Sequence, residues 1–440
     1  MALLASNFNK MTYEETIHYL YQQLPVFHRI GKKAFKANLD NTNAICAHLG
    51  NPHEKFKTIH IAGTNGKGST SHFIAAILQA AGYKTGLYTS PHLKSYTERI
   101  RINGAPIAEE EVVSFVAEHQ TFLEDLKPSF FEMSVGVAFD YFARQQVDIA
   151  VIEVGLGGRL DSTNVIHPEL SVITNISFDH TDILGDTLAL IAGEKAGIIK
   201  RNTPVVISEY QDETKDVFMQ KALAETADIF FAEDSFSIKS FNNSGLSLTL
   251  EVINKKTNLS ETYISQLKGN YQLKNILGVL QAVEILKQQG FVISNEALKY
   301  GIENVVSITG LKGRWQILSE NPTMICDTAH NLSGITEVLS SIAKIKYNKL
   351  WMILGFVSDK DIEGILALLP KEATYIFCQA NVPRALEANL LSEKAKHYNL
   401  QGTVIEDVNQ AIAFVKNQAS AKDLIYVGGS TFVVADIDEL

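Results

Sequence analysis

Gly63-Thr64-Asn65-Gly66-Lys67-Gly68-Ser69 is the stretch that decides the fold of this 440-residue chain. The apolar residues 59–62 precede it and predict a strand, and residues 70–78 follow it with the periodicity of a helix. A glycine-rich turn between a strand and a helix exposes backbone N–H groups to an anion, and a lysine in the turn reaches the outer phosphates of a nucleotide. The stretch therefore predicts a phosphate-binding loop.

The spacing within this loop indicates a particular sub-type. The common nucleotide-binding pattern has Ser or Thr directly after the lysine and a glycine five residues before the Gly-Lys pair. In this chain Gly68 separates Lys67 from Ser69, and Ile61 occupies the position of the distal glycine. We expect the loop to bind phosphate by the same physical means, although it departs from the common pattern.

Length and composition indicate a globular protein with two domains. The chain exceeds the size at which one hydrophobic core is usual, and it is 46% hydrophobic and 20% charged. Its formal net charge of −10 argues against a broad nucleic-acid-binding surface. An anionic substrate would therefore need a local positive field from loop amides, a few Lys or Arg side chains and a bound metal ion.

The lack of a recognisable targeting signal and the spacing of the cysteines predict a cytoplasmic protein. Residues 1–6 are apolar but too short for a signal peptide, and no run of about 18 apolar residues predicts a membrane span. Cys46, Cys326 and Cys378 have no disulfide or metal-ligand spacing, which fits a reducing compartment. Cys326 and Cys378 lie in apolar runs and are predicted to be core residues.

Strand-like and helical runs alternate through the first half of the chain, which predicts an α/β fold with a mostly parallel sheet flanked by helices. The predicted strands are residues 58–61, 85–88, 149–154, 170–174 and 204–207, and the predicted helices are residues 109–126, 132–145, 270–289 and 295–305. Residues 236–265 alternate apolar and polar around Asn242-Asn243-Ser244-Gly245, and this pattern predicts a small antiparallel appendage.

A second, smaller α/β domain of Rossmann-like type is predicted at the C-terminal end. Gly310 and Gly313 bracket a break in the pattern, and further strands are predicted at residues 324–326, 349–354, 374–378 and 423–427. The predicted division is residues 1–306, a linker at 307–312 and residues 313–440.

Glu153 ends an apolar strand and is followed by Gly155-Leu156-Gly157-Gly158-Arg159-Leu160-Asp161. Ligands of open α/β sheets bind at the carboxyl ends of the strands, so Glu153 can hold Mg²⁺ beside the phosphates. Arg159 can neutralise phosphate or carboxylate oxygens. The alternative is a strand-end glutamate that caps a helix next to a glycine-rich turn, but the nearby phosphate loop favours the functional interpretation.

Three further clusters carry candidate side chains. His180 follows a predicted strand and can complete a metal site, with Asp179 and Asp182 as alternatives for that role or as helix caps. Lys195 follows Glu194 near a helix end, and composition alone favours a solvated ion pair there. Residues 327–331 come directly after a predicted strand and could close on a nucleotide, although an N-cap is an equal alternative.

These clusters occur in an order that closely resembles the folylpolyglutamate synthase/dihydrofolate synthase family of the Mur ligase superfamily. The matching stretches are residues 63–69, 89–93, 98–104, 130–133, 153–161, 180–186, 194–198, 270–275, 313–314 and 327–331. The loop sub-type and residues 153–161 are typical of the superfamily, and residues 90–103 and 180–197 narrow the resemblance to the folate branch. Relatives commonly have Trp-Pro-Gly-Arg where this chain has Leu311-Lys312-Gly313-Arg314.

The resemblance implies a central ATP-binding domain, a C-terminal Mur-ligase-like domain and a role for each matching residue. The implied ATP-binding residues are Asn65, Gly66, Lys67, Gly68, Ser69, Asn275, Arg314, Asp327 and His330. The implied metal ligands are Ser90, Glu153, His180 and Lys195, the last as an N-carboxylate (carbamate), which reverses its interpretation from composition. The implied catalytic residues are Lys67, His180 and Lys195. The implied substrate-binding residues are Pro91, His92, Arg99, Arg101, Phe131, Glu132 and Arg159.

The resemblance also implies the activity. An ATP-dependent amide ligase would join L-glutamate to the carboxylate of dihydropteroate or to folate glutamyl chains through an acyl phosphate, releasing ADP and phosphate. The implied cofactors are ATP and two Mg²⁺ ions with a carbamylated lysine, and a monovalent cation is left open. The predicted protein is a monomer that binds small molecules and neither nucleic acid nor membrane. The alternatives are another Mur-superfamily ligase, such as one acting on peptidoglycan precursors, and a non-catalytic nucleotide-dependent switch.

Overall fold

The computed structural model describes residues 11–24, 38–243, 247–358 and 360–440. Residues 1–6, and Ser244 and Gly245 of the predicted turn, lie outside the described residues. The described chain forms sheets of eight, three and six strands with helices packed between and around them. This architecture confirms the predicted α/β fold with an antiparallel appendage and a smaller C-terminal sheet.

The eight-stranded sheet has the order β4-β3-β2-β5-β1-β6-β7-β8. Its strands are β1 Lys57–Ala62, β2 Thr85–Tyr88, β3 Ile100–Ile102, β4 Ala105–Pro106, β5 Ile149–Glu153, β6 Leu170–Ile173, β7 Val205–Ile207 and β8 Ile229–Phe231. All neighbours are parallel except the edge pairs β2/β3 and β3/β4. Strand β1 lies between β5 and β6, so the carboxyl ends of three parallel strands meet beside the phosphate loop.

Helices cover both faces of this sheet, as expected for strands that are buried on both sides. The helices are α1 Tyr13–Gln23, α2 Asp40–His48, α3 Lys67–Ala80, α4 Glu109–Leu126, α5 Phe130–Arg144, α6 Thr181–Leu184, α7 Leu188–Ala196, α8 Asp212–Ala224 and α9 Ala232–Ser235. Helix α3 is the central one, and its residues from Phe73 to Leu78 have no exposed surface. Burying a Leu, Ile or Phe side chain stabilises by about 1.5–3 kcal/mol, so this helix fixes the loop that precedes it.

The predicted antiparallel appendage is a three-stranded sheet of order β11-β10-β9. Its strands are β9 Phe236–Asn242, β10 Leu248–Asn254 and β11 Leu259–Ser265. Buried and partly exposed residues alternate along β10, the pattern of a strand with one face on a core. Three helices follow, α10 Gln272–Gln288, α11 Asn295–Glu303 and α12 Val305–Thr309. Helices α10 and α11 pack on α3 and complete the largest hydrophobic cluster.

The six-stranded sheet has the order β12-β13-β17-β14-β15-β16, and only the β12/β13 pair is antiparallel. Its strands are β12 Gln316–Glu320, β13 Thr323–Asp327, β14 Leu350–Leu354, β15 Thr374–Phe377, β16 Gly402–Val404 and β17 Leu424–Gly428. Its helices are α13 Leu332–Ile342, α14 Ile362–Leu368, α15 Ala388–Lys396, α16 Val408–Lys416 and α17 Thr431–Asp436. Cys326 and Cys378 are fully buried in this part of the chain, which confirms their prediction as core residues.

The predicted elements differ from the observed ones mainly at short edges. Strands β3, β8, β12 and β16 are three to five residues long and were not predicted. Helix α12 occupies the first part of the predicted linker and ends at Thr309, and its C-cap Gly310 has a left-handed backbone with φ of 67°. The division into domains at this linker stays a prediction. Among the described residues, no helix is long and apolar enough to cross a membrane.

Candidate active site

The phosphate loop is built around two glycines that no other residue can replace without strain. Gly63 has φ of 145°, and a Cβ atom added there would lie 1.8 Å from Thr174 Oγ1. Gly66 has φ of 87°, and its added Cβ would lie 2.4 Å from Asn275 Oδ1. Gly66 is also the N-cap of α3 and provides no side-chain cap, so the first N–H groups of the helix remain available to an anion.

Two lysines converge on one carbonyl group of this loop. Lys67 Nζ donates to Gly63 O and Thr64 O, each at 3.1 Å, and Lys195 Nζ donates to Gly63 O at 2.9 Å. Burial lowers the pKa of Lys67, opposed by the nearby carboxylates of Glu153 and Asp179. Burial and the Lys67 charge together lower the pKa of Lys195 to about 7.

Lys195 is not a solvated member of an ion pair. Its side chain is buried on α7 with 3% exposure, whereas Glu194 accepts a hydrogen bond from Arg159 Nη2 at 2.8 Å. Gly158 and Gly197 pack against the backbone around these residues, which brings the end of α7 directly onto the glycine-rich turn after β5. Composition alone was therefore misleading at Lys195.

Glu153 lies at the end of β5 with 4% exposure, next to the start of α3. Its Oε2 atom accepts a hydrogen bond from Ser90 N at 3.1 Å. Burial raises the pKa of this carboxyl, against the opposing effect of Lys67, the Ser90 amide and Arg314. An added Cβ at Gly68 would lie 3.5 Å from Arg314 Nη2 and 3.7 Å from Glu153 Oε1, so both charged groups face the first turn of α3.

The oxygen and nitrogen donors fit a magnesium site that the substrate completes. The described residues contain no group of three or more His, Cys, Asp or Glu side chains arranged for a metal. Magnesium is usually bound by one or two carboxylates together with waters and substrate phosphates, so Glu153 and Ser90 beside the phosphate loop satisfy that requirement. His180 lines a cavity together with Ser90 and Lys67, and burial lowers its pKa to about 4, which keeps the imidazole neutral and able to act as a ligand.

Asp179, the neighbour of His180, is bound by the C-terminal part of the chain. Lys360 Nζ lies 2.5 Å from Asp179 Oδ1, and Asn331 Nδ2 donates to Asp179 Oδ2 at 3.1 Å. His330 Nε2 lies 3.4 Å from the same Oδ2. Burial alone would raise the pKa of Asp179, but His330, His180 and Lys360 hold it well below its ordinary value.

A first cavity lies at the phosphate loop and the start of α3 and is lined by residues from both α/β parts of the chain. Its lining includes Asn65, Gly66, Lys67, Gly68, Ser69, Ser90, Glu153, Phe178, Tyr271, Asn275, Arg314, Asp327 and His330. Gln272 connects two of these residues, since its Nε2 donates to Ser69 Oγ at 3.1 Å and its Oε1 accepts from Asn275 Nδ2 at 2.9 Å.

The carboxylate of Asp327 is hydrogen-bonded to three groups of the protein itself. It accepts hydrogen bonds from Tyr271 Oη at 2.7 Å, Trp315 N at 2.7 Å and Ala329 N at 2.8 Å. The side chain is buried, and burial raises its pKa. These bonds fix the turn after β13, and Asn331 caps α13 by accepting from Gly334 N at 2.8 Å.

The second cavity lies on the other side of Lys67 and combines aromatic and charged side chains. Its lining includes Ser90, Pro91, Arg99, Phe130, Phe131, Glu132, Leu156, Asp161, His180, Lys195, His330, Lys360, Arg384 and Phe432. Glu132 is held by the N-cap of α5, where its carboxylate accepts from Ser129 N at 2.5 Å and from Asn41 Nδ2 at 3.1 Å. Lys67, Ser90, Pro91 and His330 line both cavities, which therefore meet at the phosphate loop.

Comparison with known proteins decides the family. Sequence models of the Mur ligase middle domain and of the Mur ligase, glutamate ligase domain match residues 61–283 and 313–431. The dihydrofolate synthase/folylpolyglutamate synthase of Bacillus subtilis is 35% identical over 419 residues, covering 92% of this chain and 95% of that protein. The chain belongs to the folylpolyglutamate synthase/dihydrofolate synthase family of Mur ligases.

Solved structures support the same membership. Escherichia coli FolC in complex with DHPP and ADP has a TM-score of 0.83 at 29% identity and covers 97% of this chain and 96% of its own. The folylpolyglutamate synthase of Thermotoga maritima has a TM-score of 0.79 at 33% identity, with 96% and 95% coverage. As a member of this family the chain is an ATP-dependent ligase, which excludes the alternative of a non-catalytic switch.

Three predicted substrate-binding residues of this folate-family ligase do not line either cavity. Arg101 Nη1 donates to Gly104 O at 3.1 Å, and its guanidinium lies next to Gly310. Arg159 pairs with Glu194 and is 56% exposed. His92 bridges Tyr21 Oη at 3.3 Å and Arg99 Nε at 2.7 Å, so it supports Arg99 at the cavity wall. Their substrate-binding roles stay predictions.

Sequence reasoning missed several cavity-lining residues of the ligase, among them Lys360, Arg384 and Phe432. Lys360 and Arg384 come from loops that follow β14 and β15, and Phe432 lies at the start of α17. All three follow strands of the parallel C-terminal sheet, and that position was the available signal. This signal could not be used, because the sequence does not show which edge of the C-terminal sheet faces the eight-stranded sheet.

Proposed function

We propose that this enzyme joins L-glutamate to the carboxylate of dihydropteroate, or to a glutamyl carboxylate of a folate, with hydrolysis of ATP to ADP and phosphate. The observation that carries the proposal is the meeting of the two cavities at Lys67 and Ser90. A nucleotide in one cavity would present its outer phosphate to a carboxylate in the other. The relatives are dihydrofolate and folylpolyglutamate synthases, and one has been crystallised with L-glutamate. They indicate a folate as the acceptor and glutamate as the donor of the amine.

We assign the nucleotide to the cavity on the α3 side. The amides of Gly66 to Ser69 would bind its phosphates, since Asn65 N already donates to Asn175 Oδ1 at 2.9 Å. Lys67 would exchange its carbonyl contacts for phosphate oxygens. Arg314, like Glu153, faces the first turn of α3 and would bind the same phosphates. Asn275, Asp327 and His330 line this cavity, and Asp327 would act by holding Tyr271 and the turn that carries His330. Complexes of relatives with ADP are consistent with this assignment.

Glu153, Ser90 and His180 would hold divalent metal, and a relative has been crystallised with manganese, AMPPNP and L-glutamate. When bound, Mg²⁺ supplies positive charge that offsets repulsion between the substrate carboxylate and the γ-phosphate. We propose that Lys195 contributes as a carbamate. Its burial and pKa of about 7 leave much of the amine neutral, and a neutral amine is the form that adds carbon dioxide. The carbamate is an anionic oxygen ligand suited to a hard cation.

The reaction needs two bond exchanges. A carboxylate oxygen of the acceptor attacks the γ-phosphorus, and ADP leaves. The amine of glutamate then attacks the carbonyl carbon of the acyl phosphate, loses a proton, and phosphate leaves. The chain contributes by orienting both reactants and by opposing negative charge with Lys67 and Arg314. Walls from both α/β parts line the cavities and would exclude water that hydrolyses the acyl phosphate.

The second cavity would hold the acceptor, and we call it the acceptor cavity. Its lining matches the chemistry of the two substrates, the folate acceptor and glutamate. Phe130 and Phe131 provide apolar aromatic surface for a pterin ring, and Arg99 lies with its guanidinium 5.5 Å from the Phe130 ring centroid. Lys360 and Arg384 line the same cavity and would bind the carboxylates of glutamate. The second magnesium ion, the monovalent cation, the monomeric state and the cytoplasmic location stay predictions.

The decisive assay measures ADP release by the purified protein with dihydropteroate and tetrahydrofolate in parallel, each with ATP, Mg²⁺ and glutamate. We expect release that requires both glutamate and one of the folate acceptors. Lys67→Ala should lose roughly 10²–10³-fold in kcat with the fold intact, whereas Lys371→Ala, at an exposed position, should retain wild-type activity. ADP release with a UDP-linked muramyl acceptor and with neither folate would contradict the proposed substrate class.

A further inference from the structure

A compact junction around Asp179 joins the two α/β parts of the chain at the border of both cavities. Asp179 lies after β6, in the region matched by the middle-domain model, whereas Lys360, His330 and Asn331 lie in the region matched by the glutamate-ligase-domain model. Lys360 and Asp179 have side-chain exposures of only 9% and 10%. These two residues and His330 line the acceptor cavity, and His330 also lines the nucleotide cavity.

Asn331 extends this junction to the phosphate loop. Its Nδ2 donates to Asp179 Oδ2 at 3.1 Å and to Asn65 Oδ1 at 3.0 Å, and its Oδ1 accepts from Asn65 Nδ2 at 3.3 Å. The side chain is buried, and it also caps α13 through Gly334 N. One amide therefore connects the phosphate loop, the loop carrying Asp179 and the first turn of a C-terminal helix.

Both oxygens of the Asp179 carboxylate are engaged within the protein. Oδ1 receives Lys360, and Oδ2 receives Asn331 with His330 close by. A largely buried charge pair is stable only when further hydrogen bonds satisfy the remaining lone pairs. Here Asn331 and His330 from the C-terminal part do so, and His180 N also donates to Oδ1 at 2.9 Å. This arrangement argues for a structural tie between the two parts rather than for Asp179 as a metal ligand.

We propose that Asp179 is a positioning residue that ties the C-terminal part of the enzyme to the phosphate loop and holds Lys360 at the acceptor cavity. Through Asn331 the same tie couples the loop that binds the nucleotide to the wall that receives the amino acid. The kinetic consequence rests on the proposed function, because it concerns the use of glutamate. The geometric consequence, a closed arrangement held by Asp179 and Lys360, does not.

A double-mutant cycle tests the kinetic part. Asp179→Asn and Lys360→Met should each lower kcat/KM for glutamate by roughly tenfold or more, and the double variant should be no worse than Lys360→Met alone, because Asp179 acts on glutamate through Lys360. The dependence of the rate on Mg²⁺ should be unchanged. Asp216→Asn and Lys371→Met, which change the same charges at exposed positions, are the matched controls. The proposed positioning role would be overturned if the losses in kcat/KM multiply in the double variant, or if Asp179→Asn alone changes the Mg²⁺ requirement.

An activity-independent measurement tests the geometric part. Spin labels on cysteines introduced at the exposed positions Glu213 and Glu372 report the distance between the two parts, and the native cysteines are buried. The wild type with ATP and Mg²⁺ should give a narrow distance distribution, and Asp179→Asn and Lys360→Met should both broaden it towards longer distances. Identical narrow distributions in all three would overturn the proposal. A wild type without glutamate-dependent ADP release would refute the proposed function and leave this distance test intact.

Discussion

At the scale of single residues, Lys195 is the side chain whose surroundings differ most from the solvated ion pair that local composition favoured. It is buried against the phosphate loop beside a second lysine, and this environment lowers its pKa to about 7. Lys195→Ala should be inactive, because it removes the proposed carbamate, and formate or acetate should partly restore turnover by supplying a carboxylate in the vacated space. Lys195→Arg is the matched control, since it keeps a cation, fills the space and should not be restored.

Carbon-13 NMR of the wild type in labelled bicarbonate checks the same prediction directly. A carbamate signal should appear in the wild type and be missing from Lys195→Arg. Full activity of Lys195→Ala without any added acid would contradict the role.

Two buried histidines predict how stability depends on pH. Burial lowers the pKa of both His60 and His72 to about 3, with each ring bonded to a threonine hydroxyl, of Thr163 and Thr309. Below pH 6.5 each of these histidines is protonated in the unfolded chain but neutral in the folded chain. The free energy of unfolding therefore decreases as the pH is lowered. The loss should reach about 2 kcal/mol per histidine between pH 6.5 and pH 5.

Urea unfolding of the wild type and of His72→Gln at pH 7 and pH 5 measures this effect. Glutamine can keep a hydrogen bond to Thr309 and does not titrate, so the variant should lose less stability on acidification than the wild type. Equal losses in the two proteins would show that His72 does not carry this part of the pH dependence.

At the scale of elements, the turn from β1 to α3 can be tested with two glycines of similar backbone conformation. Gly66 and Gly82 have φ of 87° and 92°, but an added Cβ would meet Asn275 at Gly66 and nothing within 4 Å at Gly82. Alanine at either position costs about 1–2 kcal/mol of backbone strain. Only Gly66→Ala should also lose nucleotide binding, measured with a fluorescent ATP analogue. Equal binding by the two variants would contradict the assignment of the loop.

The elements that carry the loop and the central strands were predictable because their signals are local. The strand predicted at residues 85–88 is β2 itself, and those at 149–154 and 170–174 exceed β5 and β6 by one residue. Parallel strands bring their carboxyl ends to one edge, so the order of the residues along the chain was enough to expect Glu153 and His180 beside the phosphate loop. Ser90 was expected there only from the family resemblance. Arg101 could not be assigned in this way, because its strand pairs antiparallel to β2 and directs the side chain towards Gly104 and Gly310.

At the scale of the whole molecule, the active site depends on contacts between residues that are far apart in the chain. Lys360 meets Asp179 across 181 positions, and Asn331 meets Asn65 across 266. Sequence patterns describe each helix and strand, but they do not state how one sheet docks on another. The acceptor wall formed by Lys360, Arg384 and Phe432 was missed for that reason, although the fold of each part was predicted.

The most direct test of the central claim follows oxygen atoms through the reaction. Dihydropteroate or tetrahydrofolate labelled with ¹⁸O in the reacting carboxylate is incubated with the enzyme, ATP, Mg²⁺ and glutamate, and the released phosphate is analysed by mass spectrometry. Transfer through an acyl phosphate predicts one ¹⁸O atom in each phosphate released and one glutamate added to the acceptor. Unlabelled phosphate, or ADP release without an added glutamate, would contradict the account.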